Sequence, residues 1–213
     1  MHLKQRSSLT LVMLTISTLI ARCAFATTKG LNQIVTPDLQ PMGQLSLSLQ
    51  MQDNRIGNAL EAQLELGITK RFEAAYFQGF NPGDSLLGIE ESLIDKHPWR
   101  LSTGFINWSP VRGGIQPFLE GGYYHSRSES IAGIIDVGNQ VLPMLGYGYQ
   151  LNNRLLLQAD FQGGKGNFST LGVTYSATPN LSINPSLYIS NDNMKNVYAY
   201  LVVSWTFDVF KGR

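Results

Sequence analysis

"VYAYLVVSWTFDVF", residues 197–210, is the longest apolar-looking run beyond residue 26. Its odd positions, Val197, Ala199, Leu201, Val203, Trp205, Phe207 and Val209, are all apolar, whereas the even positions include Tyr198, Tyr200, Ser204, Thr206 and Asp208. A period of two belongs to a strand with two unlike faces. Ser204 and Asp208 interrupt the run, and it falls short of the roughly 18 apolar residues that a spanning helix needs. The fold therefore turns on what lies against the odd face of this strand.

The same alternation recurs along the chain. In "QLSLSLQMQ" (44–52), Leu45, Leu47, Leu49 and Met51 alternate with glutamines and serines. Similar segments cover about 59–69, 72–80, 86–94, 99–108, 116–125, 130–137, 140–149, 154–163, 167–176 and 180–190. Between them stand turn-forming clusters such as "FNPGDS", "SPVRGG", "GGKG" and "NDNMKN". The count is twelve strands, with ten as the alternative. Residues 130–137 set Ile131, Ile135 and Val137 against Asp136. Residues 27–41, "TTKGLNQIVTPDLQP", lack alternation and form a leader that could serve as a plug or strap.

Before the leader, His2, Lys4 and Arg6 precede an apolar core from Leu9 to Ile20, and Ala24-Phe25-Ala26 has the small-x-small form of an export cleavage site. Residues 1–26 are thus expected to be a signal peptide. Arg22 before Cys23 argues against lipid attachment there. Cleavage removes Lys4, Arg6 and Arg22 and no acid, leaving 13 of the 16 basic residues against 15 acidic ones. The remaining chain has no cysteine, so an exported domain of this kind depends on its sheet for stability. The near-neutral charge gives no support to nucleic-acid binding.

Three observations separate a membrane barrel from a soluble sheet. Every lysine after residue 26 lies in a turn or near a terminus, and the polar face is built of Ser, Thr, Gln, Asn and Gly, unlike the Lys- and Glu-rich face of a solvated sheet. Strand carboxylates keep to the polar side, Glu91 excepted, as expected where a charge on the apolar side costs roughly 2–4 kcal/mol. Phe72, Trp99, Tyr123, Tyr149, Tyr175, Trp205 and Phe207 fall on the apolar face next to one set of turns, an aromatic girdle at a membrane interface. The expected lumen-facing residues are Glu61, Glu65, Glu73, Arg100, Glu120, Asp136, Asp160 and Asp208. The fold class is all-β, an up-and-down antiparallel transmembrane β-barrel over residues 42–210.

With these features the chain resembles bacterial outer-membrane β-barrels, porin-like proteins of Gram-negative cells. The export signal, the alternating strands and the aromatic-rich closing strand carry the resemblance, although Lys211-Gly212-Arg213 follows Phe210 where such chains usually end. "GNALEAQLELGITKRFEAAYFQG" (57–79) also resembles small outer-membrane transporters of the phenol-degradation type, without fixing a solute. The resemblance implies an outer-membrane location, partners in outer-membrane lipid and the barrel-assembly machinery, and a small passive channel for an unknown solute through an acidic-polar lumen. A closed structural or lipid-interacting barrel and an outer-membrane lipid hydrolase are the alternatives. For the last, "YYHSRSES" (123–130) sets His125 beside Ser126 and Ser128, but adjacent strand residues point to opposite faces and no orienting third group is evident. No catalytic, cofactor-binding or metal-ligating residue is expected: "GGKG" lacks a phosphate loop's spacing and no Cys/His cluster is present.

Overall fold

The computed structural model describes residues 30–80, 83–110 and 114–210; the expected signal peptide at 1–26, residues 27–29 and the tail Lys211-Gly212-Arg213 lie outside this range. The chain forms twelve strands: β1 (Gln44–Gln52), β2 (Leu60–Gly67), β3 (Phe72–Phe80), β4 (Gly83–Lys96), β5 (Trp99–Trp108), β6 (Gln116–His125), β7 (Ser128–Asp136), β8 (Val141–Asn152), β9 (Leu155–Gln162), β10 (Phe168–Thr178), β11 (Leu181–Ser190) and β12 (Val197–Asp208). They close into one antiparallel barrel in chain order. The seam is the pairing of β1 with β12, continuous from Gln44↔Asp208 to Gln52↔Tyr200, so residues 197–208 form the closing strand.

The two rims differ. Residues 97–98, 126–127, 153–154 and 179–180 are two-residue turns on the rim that also holds the start of β1 and the end of β12. The opposite rim carries longer loops, among them 53–59, 109–115, 163–167 and 191–196. Short turns on one side and longer loops on the other is the asymmetry of outer-membrane barrels.

Alternation sorts the side chains by face. Along β1, Gln44, Ser46, Ser48 and Gln50 are buried inside, whereas Leu49 and Met51 are exposed outside. Inward hydroxyls pair across the seam, Ser48 with Ser204 at 2.7 Å and Ser46 with Thr206 at 3.3 Å. Outside, Leu64, Leu119, Ile134, Leu145, Leu171 and Leu187 are all exposed. At about 25 cal/mol per Å² of apolar area in contact with water, such a jacket is stable only in an apolar surround.

One sector departs from this rule and corrects the expected placement of Asp136. On β7 the inward residues are Ile131 and Ile135, at 3% and 0% exposure, and they pack with Phe118, Leu142, Met144 and Ile34, with Val137 beside them. Asp136 has the opposite parity. It is exposed on the outer side next to its cross-strand partner Val141, at the end of the strand, and its Oδ1 accepts a 2.7 Å hydrogen bond from Gly138 N. The physical reason lies in the leader. Residues 30–41 run inside the barrel, and the apolar side chains Leu31, Ile34 and Val35 need an apolar patch of wall. The inner face of β7 is locally apolar to supply it, while Ile134 keeps the outer face apolar as well.

The leader also lies on a bed of inward-facing glycines. A Cβ on Gly172 would meet Asn32 Oδ1, on Gly146 it would meet Leu31 Cδ1, and on Gly67 it would meet the carbonyl oxygens of Gln40 and Pro41. On Gly122 it would come within 2.9 Å of Pro37 Cγ. The wall is thinned where the strap rests on it. Gly146→Leu is therefore expected to displace the strap while leaving the barrel folded and heat-modifiable on gels. Amide exchange at Asn32 and Gln33 should rise about fivefold or more, the ratio given by an overpacking cost of roughly 1–3 kcal/mol.

Candidate functional site

The lumen is the candidate site, and the strap divides it. The strap is compact, with Leu31 N donating to Ile34 O at 3.0 Å and Gly30 N to Thr36 Oγ1 at 3.3 Å. Three polar anchors hold it. Asp160 Oδ2 on β9 accepts from the backbone N–H groups of Asn32 at 2.7 Å and Gln33 at 3.0 Å. On the far side Glu73 Oε2 accepts from Gln40 N, and Gln40 Nε2 donates to Ser46 Oγ at 2.7 Å. Near the short-turn rim Arg100 Nη1 pairs with Asp38 of the strap. Arg100 Nε also donates to Asp95 at 3.0 Å, and the guanidinium lies 4.6 Å from the centre of the Tyr124 ring. Asn32 is fixed twice more, by Thr170 Oγ1 accepting from its Nδ2 at 2.9 Å and by Tyr188 OH donating to its carbonyl.

Two chambers and a small gap remain around the strap. The larger, about 570 Å³, opens toward the long loops and is lined by strap residues 30–35 together with Gln50, Glu61, Asp84, Asn184, Tyr188 and Tyr200. The other, about 330 Å³, lies at the short-turn rim between Asp38, Tyr124, Arg127, Glu129 and Gln150. A gap of about 50 Å³ separates the strap's Val35 and Thr36 from Glu65, Glu73 and Glu90.

The structure places the expected lumen residues as follows. Glu65, Glu73, Glu120 and Asp160 are inward and no more than 7% exposed. Glu61 is half-buried at the larger chamber and accepts from Asn58 Nδ2 at 3.4 Å. Arg100 is inward at the strap, and Asp208 has the inward parity of its partner Gln44 at the short-turn rim. Asp136 is outside, as described. Glu73 and Glu90 are direct cross-strand partners, an arrangement in which like charges oppose pairing. Hydrogen bonds from Gln40 to Glu73, from Gln63 to Glu65 at 3.1 Å and from Ser102 to Glu120 at 3.4 Å work against that opposition. Among the described residues, no cationic side chain lies within ion-pair distance of Glu61, Glu90, Glu120 or Asp160; the ion pairs are Arg55–Asp53, Arg71–Glu91 and those of Arg100, near the rims. Glu91, like Asp136 a strand acid of outward parity, sits next to Phe72 with Arg71 3.9 Å away.

The seven expected girdle aromatics all have outward parity near the short-turn rim. Trp99 is 61% exposed and stacks edge-on against Tyr123, with ring centres 4.7 Å apart. Tyr149, Tyr175 and Phe207 are exposed, and Phe72 and Trp205 are half-exposed. His125 is exposed at the end of β6 opposite Ser128 and makes no hydrogen bond to Ser126 or Ser128 among the described residues. No group of His, Cys, Asp or Glu side chains among the described residues is placed to hold a metal ion.

Sequence reasoning passed over three lumen residues. Asp84 reads as a turn residue in "FNPGDS" but is the second residue of β4 and lines the larger chamber. Tyr188 and Tyr200 break the polar run of β11 and β12; their position on the polar parity was the available signal.

No family model matches this chain, and no curated protein does. Solved structures do. A KdgM porin superposes with a TM-score of 0.58 at 9% identity, covering 77% of this chain and 99% of that one. A KdgM porin in complex with disordered oligogalacturonate gives 0.54 at 10%, covering 77% and 98%, and a NanC porin gives 0.53 at 10%, covering 76% and 98%. The fold is that of the twelve-stranded porins.

Two predictions follow from the anchors and the mouth. Asp160→Ala removes the acceptor for the buried N–H of Asn32 and the part-buried N–H of Gln33, the buried one costing roughly 1–3 kcal/mol when left unmade. The expected result is a lower denaturant midpoint together with loss of the Asn32 and Gln33 amide protection. At the long-loop mouth, hydrogen bonds from Arg55 hold the Asp53 carboxyl down at about 2. A depressed carboxyl contributes stability above its unfolded value, near 3.9, and loses it as pH falls through the folded one. Carbonyl NMR should show Asp53 titrating near pH 2 and returning to the ordinary carboxylate range in Arg55→Ala.

Proposed function

We propose that this chain, exported by residues 1–26 and inserted in the outer membrane with its last strand read by the barrel-assembly machinery, is a narrow passive channel that prefers cations, its passage restricted by residues 30–41. The observation that supports this most directly is a polar lumen with inward carboxylates inside a closed barrel whose outer surface is apolar. A solute entering from the long-loop side meets Glu61 and Asp84 first. Negative potential in a narrow lumen with low-dielectric walls concentrates cations and repels anions. For that reason the oligogalacturonate bound by one structural neighbour, a polyanion, is not carried over to this chain.

A closed structural barrel is the second reading, favoured by how much of the interior the strap occupies. Planar-bilayer recording separates the two. The full chain is expected to conduct weakly with a reversal potential of cation sign in a KCl gradient. Deletion of residues 30–41 should raise the conductance several-fold, and Glu61→Lys with Asp84→Lys should move the reversal potential toward chloride. Absence of conductance from both the full chain and the deletion overturns the channel reading.

A further inference from the structure

The larger chamber has a composition that points beyond a general preference for cations. One wall is aromatic. Phe168, Tyr188 and Tyr200 line it, with Phe168 edge-on to Tyr188 at 5.5 Å and Tyr188 tilted against Tyr200 at 4.9 Å. The adjoining wall is amide and carboxylate. Tyr200 OH donates to Gln50 Oε1 at 2.5 Å, Gln50 Nε2 donates to Gln63 Oε1 at 2.7 Å, and Gln63 leads on to Glu65, with Glu61 and Asp84 facing the same space. The chamber thus offers π-faces and negative charge, in a volume within the roughly 300–1,000 Å³ of small-molecule sites.

The mouth shows what such a wall accepts. The guanidinium of Arg55 lies 4.5 Å from the centre of the Tyr198 ring while bonding both oxygens of Asp53 at 2.7 and 2.5 Å. Here the chain's own organic cation occupies a ring-plus-carboxylate seat. Tyr200 is two residues along the same strand and on the same face, about 7 Å deeper. It joins Tyr188, Glu61 and Asp84 in a second seat of the same kind, with no cationic side chain among the described residues within ion-pair distance of Glu61. Cation–π contact with Tyr or Phe is strongest for cations removed from bulk water.

We infer that this chamber is a binding site for a small organic ammonium compound, its cationic head held between the Tyr200–Tyr188 wall and Glu61 and its apolar part against Phe168. The inference rests on the acidic lumen of the channel reading but not on conduction.

The test uses the full chain refolded in detergent and titrated calorimetrically with benzyltrimethylammonium, with benzyl alcohol, benzenesulfonate and maltose as neutral aromatic, anionic and sugar counterparts. Saturable binding of the ammonium at least tenfold tighter than any counterpart is expected, weakened at least fivefold by Glu61→Gln and by Phe168→Leu in protein that retains heat-modifiable migration. Arg55→Ala, a change in an exposed loop, provides a variant independent of the barrel wall; by vacating the Tyr198 seat it should raise the stoichiometry or tighten binding. Equal binding of benzyl alcohol, binding of maltose alone, or ammonium binding indifferent to all three variants overturns the inference. Binding without conductance supports it and overturns the channel reading; cation-selective conductance without binding overturns this inference alone.

Discussion

A backbone surrounded by hydrocarbon cannot leave its N–H and C=O groups unpaired, and the closure of β1 on β12 is where this chain meets that demand. Nine consecutive residue pairs from Gln44↔Asp208 to Gln52↔Tyr200 leave no open sheet edge. Once the sheet is closed, the two-residue period of each strand assigns one set of side chains to the outside and the other to the lumen. The outer set must be apolar. The inner set faces itself, and hydroxyl ladders such as Ser48–Ser204 let small polar residues pair without charge.

Closure also sets the interior size, and the size creates a second demand. Eight strands leave a lumen that wall side chains can fill, whereas sixteen leave an open channel. Twelve falls between. The strap at residues 30–41 occupies this intermediate space, and the wall is adapted to it in two ways. Glycines 67, 122, 146 and 172 give it room, and Ile131, Ile135, Leu142 and Met144 give Ile34 a dry contact. The apolar inner face of β7 is intelligible only as the counterpart of the strap's own apolar residues.

This coupling explains which features were legible in the sequence. The strands and the barrel class were readable because lipid imposes one rule on every strand, and each strand restates it. Asp136 was misplaced because that rule was applied to β7, where the strap overrides it: Ile131 and Ile135 look like lipid-facing residues until Ile34 is found beside them. The bulge between Ser92 and Ile94 was equally hidden. It leaves Leu93 and Ile94 both exposed and brings Asp95 opposite Arg100, a contact that parity counting cannot predict. Long-range partners of a non-alternating segment, such as Asn32 with Asp160, have no periodic signature at all.

The inward carboxylates divide into two groups by what they hold. Asp160 and Glu73 accept strap backbone N–H groups, and Glu120 is buried against Ser102. These acids satisfy donors that would otherwise be lost in the lumen, so the strap and the deep acids stabilise one another. Glu61 and Asp84 stand beyond the strap, at the chamber that opens toward the long loops. There Glu61 accepts from Asn58 Nδ2 and Asp84 from the Ser85 and Ser109 donors beside it. The strap thus separates the acids beneath it from those at the chamber, a distinction that lies in the path of residues 30–41 and not in the composition of the wall.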